Sequence, residues 1–336
     1  MPLSKFLTVD RIEFVVTYRC NSRCKHCQIE SNKRSFRPRA INKELAAQIV
    51  RDVAAAYSPR SIMTFGGEPL LFPDVVCAIH ATAKAHGIDK RQVITNAGWP
   101  RSKEDFRAVA FKLAESGVTE IDISVDCFHQ EYIPLSIVEQ NVRSLVEAGI
   151  ARLRWNPCWV VSKEHDNEWN RHTRSILQAL AHLPADESEG NIVQPAGNAI
   201  TWLCDYLPPK TPLPDGSCGD MPYTGRLDQV SSISVEPDGS IAVCDEFFVG
   251  NAAQCNVIEL LHRYDPYQIL EMKALLDGGV ARLVDLARAR GIEPDPNGYF
   301  SICDMCRSVR RHLGRTPHHQ SLSGRAASSS AREMAA

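Results

Sequence analysis

Ile12-Glu-Phe-Val-Val-Thr17-Tyr-Arg-Cys20-Asn-Ser-Arg-Cys24-Lys-His-Cys27 is the stretch from which the rest of the chain can be read. Its first half, Ile12–Thr17, is β-branched and aromatic and reads as a strand. Its second half is a C-x3-C-x2-C loop that begins as soon as the strand ends. Further β-rich runs follow at Ile62–Phe65, Val93–Thr95, Ile121–Val125, Leu153–Val161 (interrupted by Pro157) and near Ile192–Val193. Helical patterns fill the gaps. Ile41, Leu45, Ile49 and Val53 fall four apart in the first, and Val75, Val76 and Ile79 line the second. The third opens on a capping-box pattern, Ser102 to Asp105, runs through Phe106, Val109 and Leu113, and stops at Gly117. The fourth carries Ile137, Val138, Val142 and Leu145 and ends at Gly149; the fifth carries Ile176, Leu177 and Leu180. Six strands alternating with helices imply parallel βαβ units with right-handed crossovers, in an open doubly wound sheet or a barrel. Either architecture gathers its chemistry at the carboxyl ends of the strands, where the cysteine loop lies.

Three thiolates on one loop can hold three corners of a cubane 4Fe–4S cluster, whose usual complement is four cysteines. The missing fourth ligand leaves one iron open, as catalytic metal sites keep a free position. Ordinary loop cysteines or part of a zinc site are the competing readings, but no fourth partner lies nearby. The chain has 12 cysteines in 336 residues and no continuous apolar stretch at its start, so metal or cluster ligation is expected over disulfides, in a cytoplasmic setting. Lysine and arginine number 38 against 40 acidic residues, a net charge of −2 that argues against a strongly basic nucleic-acid or membrane binder. No run approaches the roughly 20 apolar residues of a membrane helix.

The second strand ends in Thr64-Phe65-Gly66-Gly67-Glu68-Pro69. Two glycines let a ligand approach the backbone, and Glu68 offers an acceptor suited to an ammonium group. The cysteine triad and Gly-Gly-Glu-Pro together resemble the radical S-adenosylmethionine (radical SAM) enzymes over roughly residues 10–200. The resemblance implies an α/β fold, a partial (β/α)6 TIM-type barrel. It also implies that Cys20, Cys24 and Cys27 hold the cluster and that its open iron chelates SAM. Gly66, Gly67 and Glu68 would then receive the methionine end, His26 would lie near the adenine, and Asn96, Ser124 and Asp126 would contact the SAM side. The chemistry implied is one-electron cleavage of SAM, fed by a reductant such as flavodoxin or ferredoxin, to give a 5′-deoxyadenosyl radical that takes hydrogen from a substrate.

After about residue 200 the strand–helix rhythm stops. Gln229–Val235, a Pro237-Asp238-Gly239 turn and Ile241–Cys244 read as a β-hairpin, and helical patterns occupy roughly Pro266–Leu276 and Val280–Arg290. Cys303-Asp-Met-Cys306 is a C-x2-C knuckle. With Cys244 and Cys218 it resembles the twitch domain, a short relative of the SPASM domain with one auxiliary 4Fe–4S cluster. Zinc in the same quartet, and Cys255 in place of Cys218, are the alternatives. The expected division is a barrel over 1–200, an auxiliary-cluster domain over 201–312 and a disordered tail over 313–336.

The layout looks most like enzymes that modify ribosomally made peptides, peptide epimerases among them. Those epimerases quench the substrate radical with a thiol directly after the hairpin cluster cysteine; here Asp245 stands there. Cys127, beside Asp126, is the substitute candidate thiol, while Asp126, His129 and Asp245 are candidate general bases for an oxidation. Cys77 and Cys158 read as packing residues. The expected substrate is a peptide, cross-linked, dehydrogenated or epimerised, which the basic run Lys33–Arg39 or a separate recognition protein would receive. Dehydrogenation of a small alcohol or aminocyclitol is the runner-up; a non-catalytic iron–sulfur carrier or zinc-stabilised scaffold is the third reading.

Overall fold

The structure, a computed structural model, describes residues 4–29, 36–99, 103–220 and 224–313. Before residue 200 the strands are β1 (Leu7–Thr17), β2 (Ser61–Gly66), β3 (Lys90–Thr95), β4 (Glu120–Ile123), β5 (Arg152–Trp155), β6 (Cys158–Trp159), β7 (Asp186–Glu187) and β8 (Asn191–Ile192). Between them run α1 (Lys43–Tyr57), α2 (Pro73–Ala85), α3 (Lys103–Glu115), α4 (Leu135–Glu147), α5 (Glu168–Leu180) and, after β8, α6 (Ala199–Trp202). Strands β1, β2, β3, β4, β5 and β7 pair in that order, all parallel, as a partial (β/α)6 barrel.

The helices form where the apolar spacing places them. Ile49 and Val53 of α1, Val76 and Ile79 of α2, Val138, Val142 and Leu145 of α4, and Ile176, Leu177 and Leu180 of α5 are all buried. Asn42 caps α1 by accepting from the Leu45 N–H at 2.8 Å. The Ser102 half of the expected α3 capping box lies outside the described residues. Within the barrel a polar chain links strand to strand: Arg11 donates to Gln92 at 3.2 Å, Gln92 to Asp122 at 2.7 Å, and Arg154 to Asp122 at 2.7 Å. Each charge there meets an opposite charge or an amide, so burial leaves none unpaired.

The last barrel strand differs from the sequence expectation. Pro157 has no N–H to give a ladder, so the chain leaves the main sheet after Trp155. Cys158–Trp159 pairs instead with Asn191–Ile192 in a separate two-stranded ladder. The place beside β5 goes to Asp186–Glu187, exposed and acidic, with no apolar alternation to announce it.

The chain then forms β9 (Val230–Val235), β10 (Ser240–Cys244) and β11 (Phe247–Asn251), followed by α7 (Val257–His262), α8 (Leu270–Arg288) and α9 (Ile302–His312). The hairpin forms as expected, with β11 and α7 in addition. It continues the barrel sheet: β9 lies parallel to the free side of β1, Val235 opposite Phe14, and β10 and β11 follow antiparallel. Gly278 and Gly279 break α8 where the two helical patterns were separate; Gly279 has φ +65°. Cys303 and Cys306, the C-x2-C knuckle, stand one turn apart on α9. The expected tail beyond Leu313 lies outside the described residues.

Candidate active site

The cysteine loop leaves β1 and is held by its neighbours more than by itself. Gly67 N–H donates to Thr17 O, and Glu68 N–H to Arg19 O, both at 2.7 Å. A Cβ on Gly67 would stand 2.1 Å from Arg19 O, and one on Gly66 2.3 Å from Thr17 O. Glycine is required here because two backbones meet. The Cβ side of Gly66 faces the end of β1 and that of Gly67 the residues leading into the cysteine loop.

Glu68 is fully buried, and its carboxylate accepts from Leu70 N–H (2.9 Å), the Thr95 hydroxyl (2.8 Å) and Asn96 N–H (2.7 Å). Burial pushes its carboxyl up to about 7, against the pull of those donors. It brackets the ends of β2 and β3 together. Asn96, expected on the ribose side, turns its amide to the loop instead: Nδ2 donates to Asn21 Oδ1 at 2.8 Å and lies 3.6 Å from Cys20 Sγ. Ser22 N–H also approaches Cys20 Sγ, at 3.4 Å. Such N–H···S contacts tune iron–sulfur clusters. Ser124 sits half-buried past β4, its N–H donating to Thr95 O at 2.8 Å.

Asp126 is completely buried. It accepts from the N–H groups of Phe128, His129 and Cys158, all at 3.0 Å, and pairs with His129 Nδ1 at 2.9 Å. Burial alone would raise its carboxyl; His129 and these donors outweigh that and hold it well below the usual carboxylate range. An anchored anion of this kind orients His129 and is not placed to serve as a substrate base. His129 stacks edge-on against His26, ring centroids 4.9 Å apart, and His26 packs on Phe128 at 4.9 Å. Cys127, expected at the barrel mouth, is buried in the core, its N–H donating to Thr173 and its thiol pushed up to about 12 by burial. Cys158 is likewise buried, and Cys77 half-buried on α2.

Two features had no place in the sequence reading. Asn198 N–H donates to Cys27 O and its Nδ2 to Cys24 O, both at 2.9 Å, and Gly197 (φ +54°) has Cys27 O where a Cβ would be, 2.3 Å away. A Gly-Asn pair directly after the last β-rich run was a legible signal, since close backbone approach at a strand's carboxyl end is a site feature. The second is Tyr18, which donates its hydroxyl to Glu236 at the end of β9. Burial and Glu236 raise the phenol, and Asp238 and Asp245 add to the effect. That contact crosses 218 residues of sequence and leaves no local trace.

Cys218, Cys244, Cys303 and Cys306 converge in the C-terminal part. Burial raises all four thiols, and three of them feel another of the set: Cys244 feels Cys218, Cys303 feels Cys218, and Cys306 feels both Cys244 and Cys218. Cys255 is exposed. Arg307 binds Glu246 Oε1 at 2.6 Å and the Arg310 guanidinium lies 3.9 Å over the Phe247 ring, fastening α9 to the β10–β11 turn. Asp245, in that turn, is exposed.

All twelve cysteines are free of disulfides, and the triad offers soft thiolates with N–H···S contacts, the donor set an iron–sulfur cluster takes. Residues 14–176 match the radical SAM superfamily model. This stretch is a radical SAM domain. The chain is similar to a GTP 3′,8-cyclase of Moorella thermoacetica, 27% identical over 238 residues, 68% of this chain and 66% of that protein. It is also similar to one of Lactiplantibacillus plantarum, 29% identical over 210 residues, 59% of this chain and 58% of that protein. The matches span about three-fifths to two-thirds of these relatives. The solved structure of anSMEcpe with bound AdoMet shares the fold, with a TM-score of 0.50, 14% identity and 92% of each chain covered. The curated relatives are named for a nucleotide cyclisation and not for a peptide modification. The radical SAM assignment belongs to residues 14–176; no helix among the described residues is long and apolar enough to cross a membrane.

Proposed function

We propose that this enzyme oxidises its substrate by two electrons, using a SAM-binding 4Fe–4S cluster on Cys20, Cys24 and Cys27 and an auxiliary 4Fe–4S cluster on Cys218, Cys244, Cys303 and Cys306. When bound, the first cluster and SAM would supply reductive cleavage of SAM and hydrogen abstraction from a substrate C–H, and the auxiliary cluster would supply an electron acceptor. The chain itself would supply a base for the substrate's proton. Asp245 is the base that fits, being exposed beside Cys244, whereas Asp126 is saturated with donors and Cys127 is buried.

The single observation that carries this reading is Tyr18. It stands two residues before Cys20, binds Glu236 of the hairpin and feels Asp245, and so ties the cluster loop to the element that bears Cys244. Four thiolates gathered in one place suit a closed cubane, and zinc in the same quartet is the alternative that metal analysis separates.

The substrate is anionic in this reading. Loss of solvent and the guanidinium groups of Arg39 and Arg37 lower the pKa of Arg19, so three positive charges crowd beside Cys20. Lys33 and Arg34 of the same run lie outside the described residues. A nucleotide agrees with the names of the curated relatives; an acidic ribosomal peptide agrees with the same charge but has no support among them.

Anaerobic reconstitution should give about eight iron per chain, four for each cubane. SAM and dithionite should then yield 5′-deoxyadenosine, faster with GTP if the substrate is a nucleotide. No 5′-deoxyadenosine from a fully reconstituted chain would reject catalysis and leave an iron–sulfur carrier. One zinc per chain at the quartet would reject the auxiliary cluster.

A further inference from the structure

We propose that, before its cluster is assembled, the cysteine loop holds a single divalent transition metal on Cys24 Sγ, a ring nitrogen of His26 and Nε2 of His129. The ligating atoms of these three residues all lie within 4.8 Å of one another. Two further observations give the group its direction. Asp126 engages His129 Nδ1 at 2.9 Å, leaving Nε2 to the cluster of ligands. This carboxylate–imidazole arrangement fixes tautomer and orientation at metal sites. His26 Nδ1 is buried and has no hydrogen-bond partner among the described residues. A buried polar nitrogen left so is costly unless something accepts its lone pair.

One thiolate and two imidazoles suit iron(II) or zinc, and three protein ligands leave the fourth position open. Phe128, packed on His26 and stacked on Trp169 with centroids 5.2 Å apart, supplies an apolar wall. Such a shell limits water access and strengthens the metal–ligand interaction. Cys24 cannot serve this metal and the cubane together. Iron(II) bound here is a loading intermediate from which Cys24 is handed to the cluster, and zinc bound here blocks that transfer.

The test uses the cluster-free full-length chain under anaerobic conditions, with Cys303→Ser and Cys306→Ser so that the quartet takes no metal. Cobalt(II) titration reports a tetrahedral site through its d–d bands and a thiolate charge-transfer band. One cobalt per chain is expected. Cys20→Ser should retain that affinity within about twofold. His129→Ala and His26→Ala should each weaken it at least about tenfold, the size of effect that even outer-sphere partners of a metal produce. Zinc added first should slow later reconstitution in the parent and not in His129→Ala. No cobalt uptake by the parent overturns the proposal. So does undiminished uptake by the histidine variants with loss in Cys20→Ser, which would put the metal on the triad alone. Thermal melts of each variant confirm that it is folded. The readout is independent of SAM cleavage, so its failure and that of the proposed activity are separate results.

Discussion

Cys20, Cys24 and Cys27 lie on one loop, whereas Cys218, Cys244, Cys303 and Cys306 come from a loop, a strand end and two successive turns of a helix. The first set is close in sequence but has no core of its own. Its position is imposed from outside, by Asn96 on Cys20, by Asn198 on Cys24 and Cys27, and by the Gly66–Gly67 backbone pressed against Thr17–Arg19. Cys20 and Cys27 stay half-exposed. The second set is distant in sequence and fixed by the elements that carry it. Cys218, Cys244 and Cys303 are half-buried, as Cys20 and Cys27 are, and Cys306 is buried on α9's inner face with Met305 and Val309, as Cys24 is buried in the first set. A site whose ligands are neighbours in sequence needs its loop clamped from outside, whereas one gathered from distant elements is fixed by the packing of those elements.

That contrast breaks most visibly when one cysteine is removed from each set. Cys24→Ser should abolish 5′-deoxyadenosine formation and lower iron from about eight to about four per chain, at a stability cost of about 1–3 kcal/mol because Cys24 is buried. Cys306→Ser should lose a similar amount of iron yet keep SAM cleavage without substrate, while substrate oxidation fails. Replacing a buried thiol by a hydroxyl should also lower stability by about 1–3 kcal/mol. Iron analysis, product chromatography and thermal melts on the same preparations check all three. Equal loss of SAM cleavage in both variants would mean that the two sets act as one centre.

The same contrast explains what could be read from the chain alone. The triad, Gly-Gly-Glu-Pro and the strand–helix alternation are local signals, so the barrel and the cluster loop were legible from Ile12 to Leu180. The hairpin was legible from Pro237-Asp238-Gly239. The role of Glu68 was not, because its three donors come from Leu70, Thr95 and Asn96 and only the fold brings Thr95 and Asn96 to it. Cys127 looked accessible beside Asp126, but successive residues in a tight turn can face opposite ways, and its side chain went to the core. Asp186–Glu187 joined the barrel by backbone pairing alone, to which a pattern of apolar residues is blind.

A smaller effect tests the outside clamp. Gly197→Ala would place a methyl group 2.3 Å from Cys27 O and 2.6 Å from Gln28 O, at φ +54°. Both contacts are backbone, so the loop itself must shift. The expected cost is about 2–3 kcal/mol, with partial loss of iron at the triad and none at the quartet. Gly149→Ala is the control: φ is +81°, but nothing lies within 4 Å of the added atom. Only the backbone penalty of about 1 kcal/mol should appear, with iron unchanged. Matching iron content in the two variants would remove Gly197 from the site.

The link between the two regions carries the finest test. Tyr18→Phe deletes the hydroxyl that reaches Glu236 but keeps the ring, which packs edge-on to Phe36 with centroids 5.3 Å apart. Loss of one buried hydrogen bond to a carboxylate should cost about 1–3 kcal/mol. Burial and Glu236 keep the phenol protonated at any working pH, so the effect should not vary with pH. Iron content and SAM cleavage without substrate should match the parent, since no thiol is touched. What should change is the yield of oxidised substrate per 5′-deoxyadenosine, because the hairpin bearing Cys244 and Asp245 is no longer pinned beside the cluster loop. If that yield is unchanged while stability falls, Tyr18 is a structural rivet and the two regions are coupled by some other contact.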